Sequence, residues 1–388
     1  MKSNNKQLWV LVFVCIINSI GFGIIIPLLY SFGKKFGATP QTIGLLTAAF
    51  SIAQFFATPV LGSLSDKWGR KPLLAISLVG TCISFLMFAW AGGLVMLFAA
   101  RILDGITGGN ISVAQAIITD TSTSEDRARK FGILGSAFGF GFVIGPAFGG
   151  LLSKWGMQMP FYFAAGIALI GALCAIFFLK ETNPKAERNK KQKKSGFSFT
   201  ALITVLKMPA IGTAIFVGFM LTMAQFTMLI GFQTLSVDTL KLSPTNIGLF
   251  YAGFGVTGII MQLLVPVITK NISSRSVILI ISTALCLAAM ILAGFAAAFM
   301  TFAICVFVYG LFNGLRNPML NAIIADHNKT SNQGEVLGIN QAYNSIGQTI
   351  GPITAGLITA VSVHSIFWLA SFYILIALLF SFRLKTKE

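Results

Sequence analysis

A short charged stretch, Gly62-Ser63-Leu64-Ser65-Asp66-Lys67-Trp68-Gly69-Arg70-Lys71-Pro72, separates two long apolar segments at residues 41–64 and 72–91. About 20 apolar residues in a helix are enough to cross a bilayer, where a helix satisfies its own backbone hydrogen bonds without water. Both flanking segments reach this length, so each is predicted to be a transmembrane helix. The charged stretch is then a tight connection at one face of the membrane.

Four residues of this connection have properties that suit a tight turn. Gly62 and Gly69 permit close helix approach and a sharp chain reversal, because glycine has no side chain. Asp66 can accept hydrogen bonds from amides at a helix N-terminus. Arg70 places positive charge beside lipid head groups.

The composition indicates a membrane protein with many spans. Of the 388 residues 55% are hydrophobic and only 10% are charged, whereas about 25% of the residues of a soluble domain are charged. The mean hydropathy is +0.83. The net charge of +17 does not predict nucleic-acid binding, because the basic residues lie in short loops between apolar segments, as the positive-inside rule requires.

Twelve apolar segments are candidate transmembrane helices. They lie at residues 8–30, 41–64, 72–91, 94–118, 131–153, 160–179, 209–232, 244–268, 276–296, 299–324, 335–360 and 364–382. An even number places both ends of the chain on one side of the membrane. That side carries 22 Lys and Arg residues and the opposite side carries 4, so both termini and the middle loop are predicted to be cytoplasmic.

The two halves of the sequence repeat one another at a nearly constant offset. The matching stretches are 39–45 with 243–249 at an offset of 204, and 117–120 with 323–326 and 131–146 with 337–352 at an offset of 206. Such a repeat predicts two six-helix bundles related by a pseudo-two-fold axis along the membrane normal.

The repeat also suggests domain bounds. We expect bundles at 1–180 and 208–388, joined by a linker at 181–207 that is too charged to pack and that lies against anionic head groups. The charged stretch at 62–72 is not repeated, because residues 270–276 read Lys-Asn-Ile-Ser-Ser-Arg-Ser without an Asp.

Several stretches resemble motifs of the major facilitator superfamily. The pattern G-x-x-x-D-x-x-G-R-K-P at 62–72 resembles the signature between its second and third spans. Residues 101–109 resemble the fourth-span motif, whose Arg is linked to proton coupling, and 135–150 resemble the fifth-span motif of its antiporters. Together with 18–27, they look like the tetracycline and multidrug efflux branch of twelve-span drug:proton antiporters. The resemblance implies the major facilitator fold and an exporter rather than an importer.

Arg101 and Asp104 lie inside the fourth span, three residues apart and so on one face of a helix. An unpaired charge there costs at least ~2.5–3.5 kcal/mol, so we expect the two to pair or to face a water-filled cavity. The resemblance implies a coupling role for Arg101, and Asp104 is an addition to the family's pattern. The alternative is a structural ion pair that fixes the bundle.

The fifth span is rich in glycine. Gly135, Gly139, Gly145 and Gly149 are predicted to form a small-residue face against which another helix packs closely, with Pro146 at a bend. Such a face suits helices that slide during transport, and the alternative is a plain packing seam. The candidate gating residues are Gly62, Asp66, Gly69, Arg70, Gly145 and Pro146.

Asn18, in the first span, departs from the family's pattern. Many of these pumps carry a membrane-embedded Asp at this place, and Asn cannot take up or release a proton. The second half has no acid inside a span: Asp238, Asp326, Glu335 and Glu388 lie in loops, at span ends or in the tail. Proton coupling would therefore depend on Asp104.

Uncharged polar residues inside the spans predict a substrate cavity, since they are costly in lipid unless they face inward. The candidate substrate-binding residues are Asn18, Gln54, Asn110, Gln115, Gln225, Asn313, Asn317, Gln341 and Asn344. Some are expected only to hold helices together. With 36 Phe and 13 Met in the chain, the cavity would suit amphiphilic or planar organic molecules. Arg316 would either contact an anionic group of the substrate or cap a helix end.

The sequence thus predicts a proton-driven exporter of small amphiphilic organic compounds in the plasma or inner membrane. Its expected partners are the substrate, protons and membrane lipids, with no nucleic acid and as a monomer. The alternatives are a metabolite exporter or facilitator that is not proton-driven, which Asn18 suggests, and a sensor without transport.

No enzymatic, metal or cofactor site is expected. The sequence contains no H-E-x-x-H, G-x-S-x-G or D-x-D constellation, and its two histidines, His327 and His364, lie near span ends. The five cysteines lie in apolar segments without a C-x-x-C spacing, as packing residues do.

Overall fold

The computed structural model of the chain describes residues 2–122, 124–183, 199–272, 274–296, 298–328 and 333–385. Within these residues the chain forms helices and no strand, which confirms the predicted all-α class. The α-helices in chain order are α1 Lys2–Gly33, α2 Pro40–Trp68, α3 Arg70–Ala89, α4 Leu94–Gly108, α5 Ile111–Asp120, α6 Ser124–Leu152, α7 Met159–Phe178, α8 Phe199–Leu206, α9 Ile211–Thr234, α10 Pro244–Asn271, α11 Arg275–Phe295, α12 Phe299–Asn313, α13 Arg316–His327, α14 Gln333–Ile358 and α15 Ser365–Lys385.

Ten segments within the described residues are long and apolar enough to cross a membrane. They correspond to ten of the twelve predicted spans. The predicted spans at 131–153 and 335–360 are helical, in α6 and α14, but they are not among the ten. The second of them contains many polar residues, which lowers its hydropathy. For these two helices the transmembrane assignment stays a prediction.

The fourth and tenth spans are each broken in the middle. The fourth span consists of α4 and α5, which are separated at Gly109 and Asn110, and the tenth consists of α12 and α13, separated at Gly314 and Leu315. The two breaks occur at matching places in the internal repeat, since Gly109 and Leu315 are 206 residues apart. The repeat read from the sequence therefore extends to a shared irregularity of the backbone.

The chain forms two compact units. Unit 1 contains Met1–Gly37, Ala49–Phe197 and Ser243–Ala252, and unit 2 contains Ala38–Ala48, Ser198–Leu242 and Gly253–Glu388. Each unit thus includes the first turns of a helix that continues in the other: α10 begins in unit 1 and α2 begins in unit 2. The domain bounds predicted from the sequence stay a prediction, and residues 184–198 of the predicted linker lie outside the described residues.

Within each unit the helices pack along one another in the same pattern. In unit 1, α1 packs along α6 and α7, and α3 packs along α7. In unit 2, α9 packs along α14 and α15, and α11 packs along α15 and α12. A cluster of buried aliphatic side chains that includes Leu11, Leu78 and Ile117 forms a core of unit 1.

Candidate functional site

The connection between the second and third spans is shorter than its sequence suggested. Helix α2 continues to Trp68 and α3 begins at Arg70, so Gly69 alone separates them. Gly69 has a φ of 108°, a backbone conformation that residues other than glycine rarely adopt. The predicted sharp reversal is therefore confirmed, and the rest of the charged stretch is helical.

Arg70 is the centre of a charge cluster at this connection. Arg70 as a whole residue is only 7% exposed to solvent. Its Nη2 lies 2.7 Å from Oδ1 of Asp66, and its Nε lies 3.1 Å from Oδ2 of Asp120 at the end of α5. Its Nη1 also donates to the hydroxyl of Ser65. The guanidinium thus joins the end of α2 to the end of α5 inside unit 1, so Arg70 lies in a charged network and is not simply exposed to lipid head groups.

The carboxylate that caps α3 belongs to Glu181. The backbone N–H of Arg70 donates to Oε1 of Glu181 at 2.9 Å, and the N–H of Lys71 donates to Oε2 at 3.3 Å. Asp66 was predicted to accept hydrogen bonds from amides at a helix N-terminus, but its carboxylate pairs with the Arg70 side chain instead. Nearby, Nδ2 of Asn183 donates to the backbone oxygen of Asp66 at 2.9 Å. Residues 181–183, which follow α7, therefore stabilise the junction of α2 and α3.

Replacing Glu181 by Gln should lower the melting temperature of the detergent-solubilised protein. A carboxylate at a helix N-terminus contributes about 0.5–2 kcal/mol, and Gln keeps the size but removes the charge. The expected change is a fall of a few degrees relative to the wild type, measured by intrinsic fluorescence. Lys180→Gln, a change of charge at the exposed neighbour, is the control and should melt like the wild type. An equal effect of both variants would contradict the capping role.

A second, simpler charge pair occurs at the matching place in unit 2. Arg275 is the first residue of α11, as Arg70 is of α3, and its Nη1 forms an ion pair with Oδ2 of Asp326 near the end of α13. The N-terminus of α11 is capped by Ser274, whose side chain accepts from the N–H of Val277 at 3.3 Å. Although the signature stretch is absent from the second half of the sequence, its Arg–Asp pair is present in the fold.

Arg101 and Asp104 form the predicted pair inside the fourth span. Nη1 of Arg101 lies 3.5 Å from Oδ2 of Asp104, and their side chains are 3% and 6% exposed. The guanidinium also lies over the ring of Phe50 on α2, 4.5 Å from its centroid. Ser84 on α3 places its hydroxyl beside the Asp104 carboxylate. Two opposite charges are thus buried together in unit 1, among side chains of α2, α3 and α4.

The glycine face of α6 packs against α1. A Cβ added at Gly141, Gly145 or Gly149 would lie closer than 3.0 Å to atoms of Ser19, Gly23 or Ile24, so the two backbones are in direct contact there. Gly139 was predicted to belong to this face, but a Cβ at Gly139 would meet nothing within 4 Å. The face therefore follows 141, 145 and 149, and Pro146 lies beside it in the interior of α6.

A pair of matching backbone contacts links the repeated stretches. In unit 1, a Cβ at Gly248 would clash with the carbonyl oxygen of Pro146, and Oγ1 of Thr245 donates to the carbonyl of Gly150 at 2.8 Å. In unit 2, a Cβ at Gly44 would clash with the carbonyl oxygen of Pro352. Gly44 and Gly248 are 204 residues apart, and Pro146 and Pro352 are 206 apart. The repeated Ile-Gly-Leu and Gly-Pro stretches are thus the two sides of one contact, formed twice.

Some of the predicted substrate-binding residues form hydrogen bonds between helices. In unit 1, Nδ2 of Asn18 donates to Oδ1 of Asn110 at 3.4 Å, and Nε2 of Gln54 donates to the carbonyl oxygen of Gly108 at 3.2 Å. In unit 2, Oγ1 of Thr222 donates to Oδ1 of Asn344 at 2.9 Å. Thr222 was not identified from the sequence, because a single Thr in an apolar helix gives no distinct signal.

The remaining predicted substrate-binding residues are not brought together by such bonds. Gln225 and Asn313 are half-buried, whereas Gln115, Asn317 and Gln341 are exposed. Oδ1 of Asn317 accepts from Nε of Arg316 at 3.3 Å. The structure therefore supports a polar cluster around Asn18 and Asn110 in unit 1 and another around Asn344 in unit 2.

A family model and known proteins match this chain over nearly its whole length. A family model described as "Major Facilitator Superfamily" matches residues 11–238 and 215–388. "Multidrug resistance protein 2" of Bacillus subtilis (strain 168) is 29% identical over 402 residues, which cover 100% of this chain and 98% of that protein. "Tetracycline resistance protein, class C" of Escherichia coli is 31% identical over 374 residues, which cover 94% of this chain and 92% of that protein.

Solved structures show the same architecture. A bacterial homologue of the human lysosomal transporter Spinster, in an inward-facing and unoccupied conformation, has a TM-score of 0.77 with this chain. The match covers 98% of this chain and 96% of that one at 15% sequence identity. At this identity the likeness establishes the fold alone.

Proposed function

Because this chain belongs to the major facilitator superfamily, and is therefore a membrane transporter rather than an enzyme, we propose that it exports small amphiphilic organic compounds by proton antiport. Its relatives over nearly the whole length are a multidrug resistance protein and a tetracycline resistance protein. These relatives support export of organic compounds by this chain, from the cytoplasm across the plasma or inner membrane, by alternating access.

The observation that carries the coupling proposal is the buried pair of Arg101 and Asp104. A carboxylate inside a membrane span is costly and is usually retained for a function. Asp104 can take up a proton, and a neutral Asp104 would release the guanidinium of Arg101 from its ion pair. Protonation of Asp104 would thus change the charge balance of α4 by one unit, which gives substrate binding and proton binding a means to compete.

The proposed substrate contacts are the polar residues predicted from the sequence, with Thr222 added. The cluster at Asn18 and Asn110 offers neutral hydrogen-bonding groups in unit 1, where the rings of Phe22 and Phe50 have centroids 5.2 Å apart. The cluster at Thr222 and Asn344 offers further neutral groups in unit 2. Such surroundings suit amphiphilic molecules that need few fixed polar contacts. We also propose that both termini are cytoplasmic and that the transporter is a monomer.

A second candidate function is a facilitator or metabolite exporter that is not driven by protons. The observation that favours it is the pairing of Asn18 with Asn110, because neither amide can carry a proton. In this alternative Arg101 and Asp104 only fix the packing of α4.

Ethidium transport by purified protein in liposomes would test the proposed function. With the pH gradient oriented for antiport, we expect uphill movement of ethidium that collapses when an uncoupler is added. Downhill movement that is indifferent to the gradient would favour the facilitator. Liposomes without protein, and liposomes with the Asp66→Asn variant, are the controls, and Asp66→Asn should lose net export while remaining folded in detergent.

A further inference from the structure

Arg316 begins the second part of the broken tenth span, where α13 follows the break at Gly314 and Leu315. Its Nε donates to Oδ1 of Asn317 at 3.3 Å. Its Nη1 is buried and, among the described residues, has no hydrogen-bond partner. A buried guanidinium nitrogen without a partner in the described part of the chain is available to an acceptor that enters from outside.

Tyr309 supplies a second unused donor beside it. The residue is 1% exposed, and its hydroxyl is buried without a hydrogen-bond partner in the described part of the chain. Its ring stacks on Phe254 of α10, with centroids 6.2 Å apart and planes at 11°. Tyr309 precedes Arg316 by seven residues, about two helical turns along the same span, and the two groups are close enough to interact electrostatically. One aromatic surface and two donors therefore lie close together in unit 2.

The charge of Arg316 is not balanced by a carboxylate of its own span. The nearest acid along the chain is Asp326, ten residues further on, which is about 15 Å along a helix, and it pairs with Arg275. The sequence offers no other acid within the spans of the second half. A cation inside a membrane protein without an anion is costly, so a bound anion would lower the free energy of this site.

The place of Arg316 in α13 argues against the other role considered for it, a helix cap. A cation stabilises the C-terminus of a helix, whereas Arg316 is the first residue of α13 and adds to the positive end of its dipole. Helix N-termini attract anions instead. The helix end and the guanidinium thus favour the same kind of ligand.

The matching position in unit 1 carries a neutral residue. Asn110, 206 residues earlier, also lies at the helix break and has a buried Nδ2 without a partner among the described residues. The repeat thus places a hydrogen-bond donor at the same point in each half, but only the second half makes it a permanent positive charge. The difference in charge suggests a difference in the chemical group that each accepts.

We propose that Arg316 and the Tyr309 hydroxyl bind the acidic group, a carboxylate or sulfonate, of an amphiphilic substrate whose apolar body packs on Phe254. Organic anions and zwitterions are then part of the substrate range. This inference rests on the proposed export function and names one class of its substrates. A guanidinium and a phenol hydroxyl can donate to the same carboxylate, and the guanidinium supplies the charge-assisted bond.

The test compares three probes in liposomes: ciprofloxacin, which carries a carboxylate; its methyl ester, which does not; and ethidium, which has no acidic group. Arg316→Gln should raise the apparent KM for ciprofloxacin by about 10- to 100-fold, the loss expected for a charge-assisted hydrogen bond. The KM values for the ester and for ethidium should stay within about twofold. Arg383→Gln, which removes an exposed Arg near the end of α15, is the matched control and should leave all three KM values unchanged.

Tyr309→Phe keeps the stacked ring and removes only the hydroxyl. It therefore tests the proposed binding of the acidic group even if Arg316→Gln fails to fold. It should weaken ciprofloxacin transport by about three- to tenfold and leave the ester unaffected. Equal effects on all three probes, or no effect of either variant on ciprofloxacin, would overturn the inference while leaving export of ethidium intact. Absence of ethidium transport by the wild type would instead contradict the proposed function.

Discussion

Gly248→Ala should reduce the initial rate of substrate efflux by about tenfold or more, because the added methyl group has no room and overpacking of a tight contact costs about 1–3 kcal/mol. In the structure the new Cβ would lie closer than 3.0 Å to the carbonyl oxygen of Pro146, a backbone atom that cannot rotate away. The start of α10 must then move away from α6. A transporter that alternates between conformations needs each of them, and this variant excludes the one in which the two helices pack.

The same substitution can be made at the matching glycine of the internal repeat, Gly44. Gly44→Ala would bring a Cβ against the carbonyl oxygen of Pro352 in unit 2 and should cause a similar loss. The control is Gly166→Ala in α7, where a Cβ meets nothing within 4 Å. Alanine favours a helix over glycine by about 1 kcal/mol, so a loss at Gly44 and Gly248 cannot come from helix propensity. Wild-type rates in either clashing variant would show that this packed conformation is not part of the cycle.

Asp104→Asn should abolish uphill transport driven by a pH gradient. Asn keeps the shape of the side chain but cannot bind or release a proton, so a cycle that moves a proton through this residue stops. Downhill exchange of labelled for unlabelled ethidium should continue, because exchange requires no net movement of protons. Comparing uphill and exchange transport in the same liposomes measures the difference directly.

A structural role for the pair must be distinguished from a coupling role. Removing Asp104 alone leaves Arg101 buried without its counter-charge, which typically costs about 3–5 kcal/mol. The double variant Arg101→Gln, Asp104→Asn removes both charges and should recover the stability that the single variant loses. If the double variant also recovers uphill transport, the pair is only structural. Asp238→Asn, at a half-buried carboxylate just after α9, is the control for loss of a carboxylate elsewhere and should leave coupling unchanged.

The helical membrane fold could be predicted from the sequence because a lipid bilayer requires long apolar segments. Apolar segments of bilayer length are hard to form by chance, and ten of them reappear as helices that could span a membrane. The eleventh segment, helix α14, was less distinct because its polar residues lower its hydropathy, and the fifth, helix α6, packs closely through glycine. The repeat of Ile-Gly-Leu and Gly-Pro stretches was visible, but nothing in the linear sequence showed that the first kind of stretch contacts the second.

The details of the candidate site were less predictable, for reasons of geometry. Gly139 and Gly145 are six residues apart, and at about 100° per residue they lie on different sides of a helix, so only the series through Gly141 could form the face. Glu181 was missed because it is 111 residues from Arg70 and lies in a polar segment that looks like the start of a linker. Local spacing identifies residues on one helix, whereas contacts between distant segments require the fold.

The two Arg–Asp pairs differ in how much water surrounds them. The side chains of Arg70 and Asp120 are 9% and 12% exposed, whereas those of Arg275 and Asp326 are 38% and 54% exposed. Dissolved ions weaken attraction between exposed charges over about 8 Å at physiological ionic strength, and they affect enclosed charges far less. A rise in ionic strength would therefore weaken the pair in unit 2 and leave the pair in unit 1 nearly unchanged, so that two copies of one duplicated element differ in their sensitivity to salt.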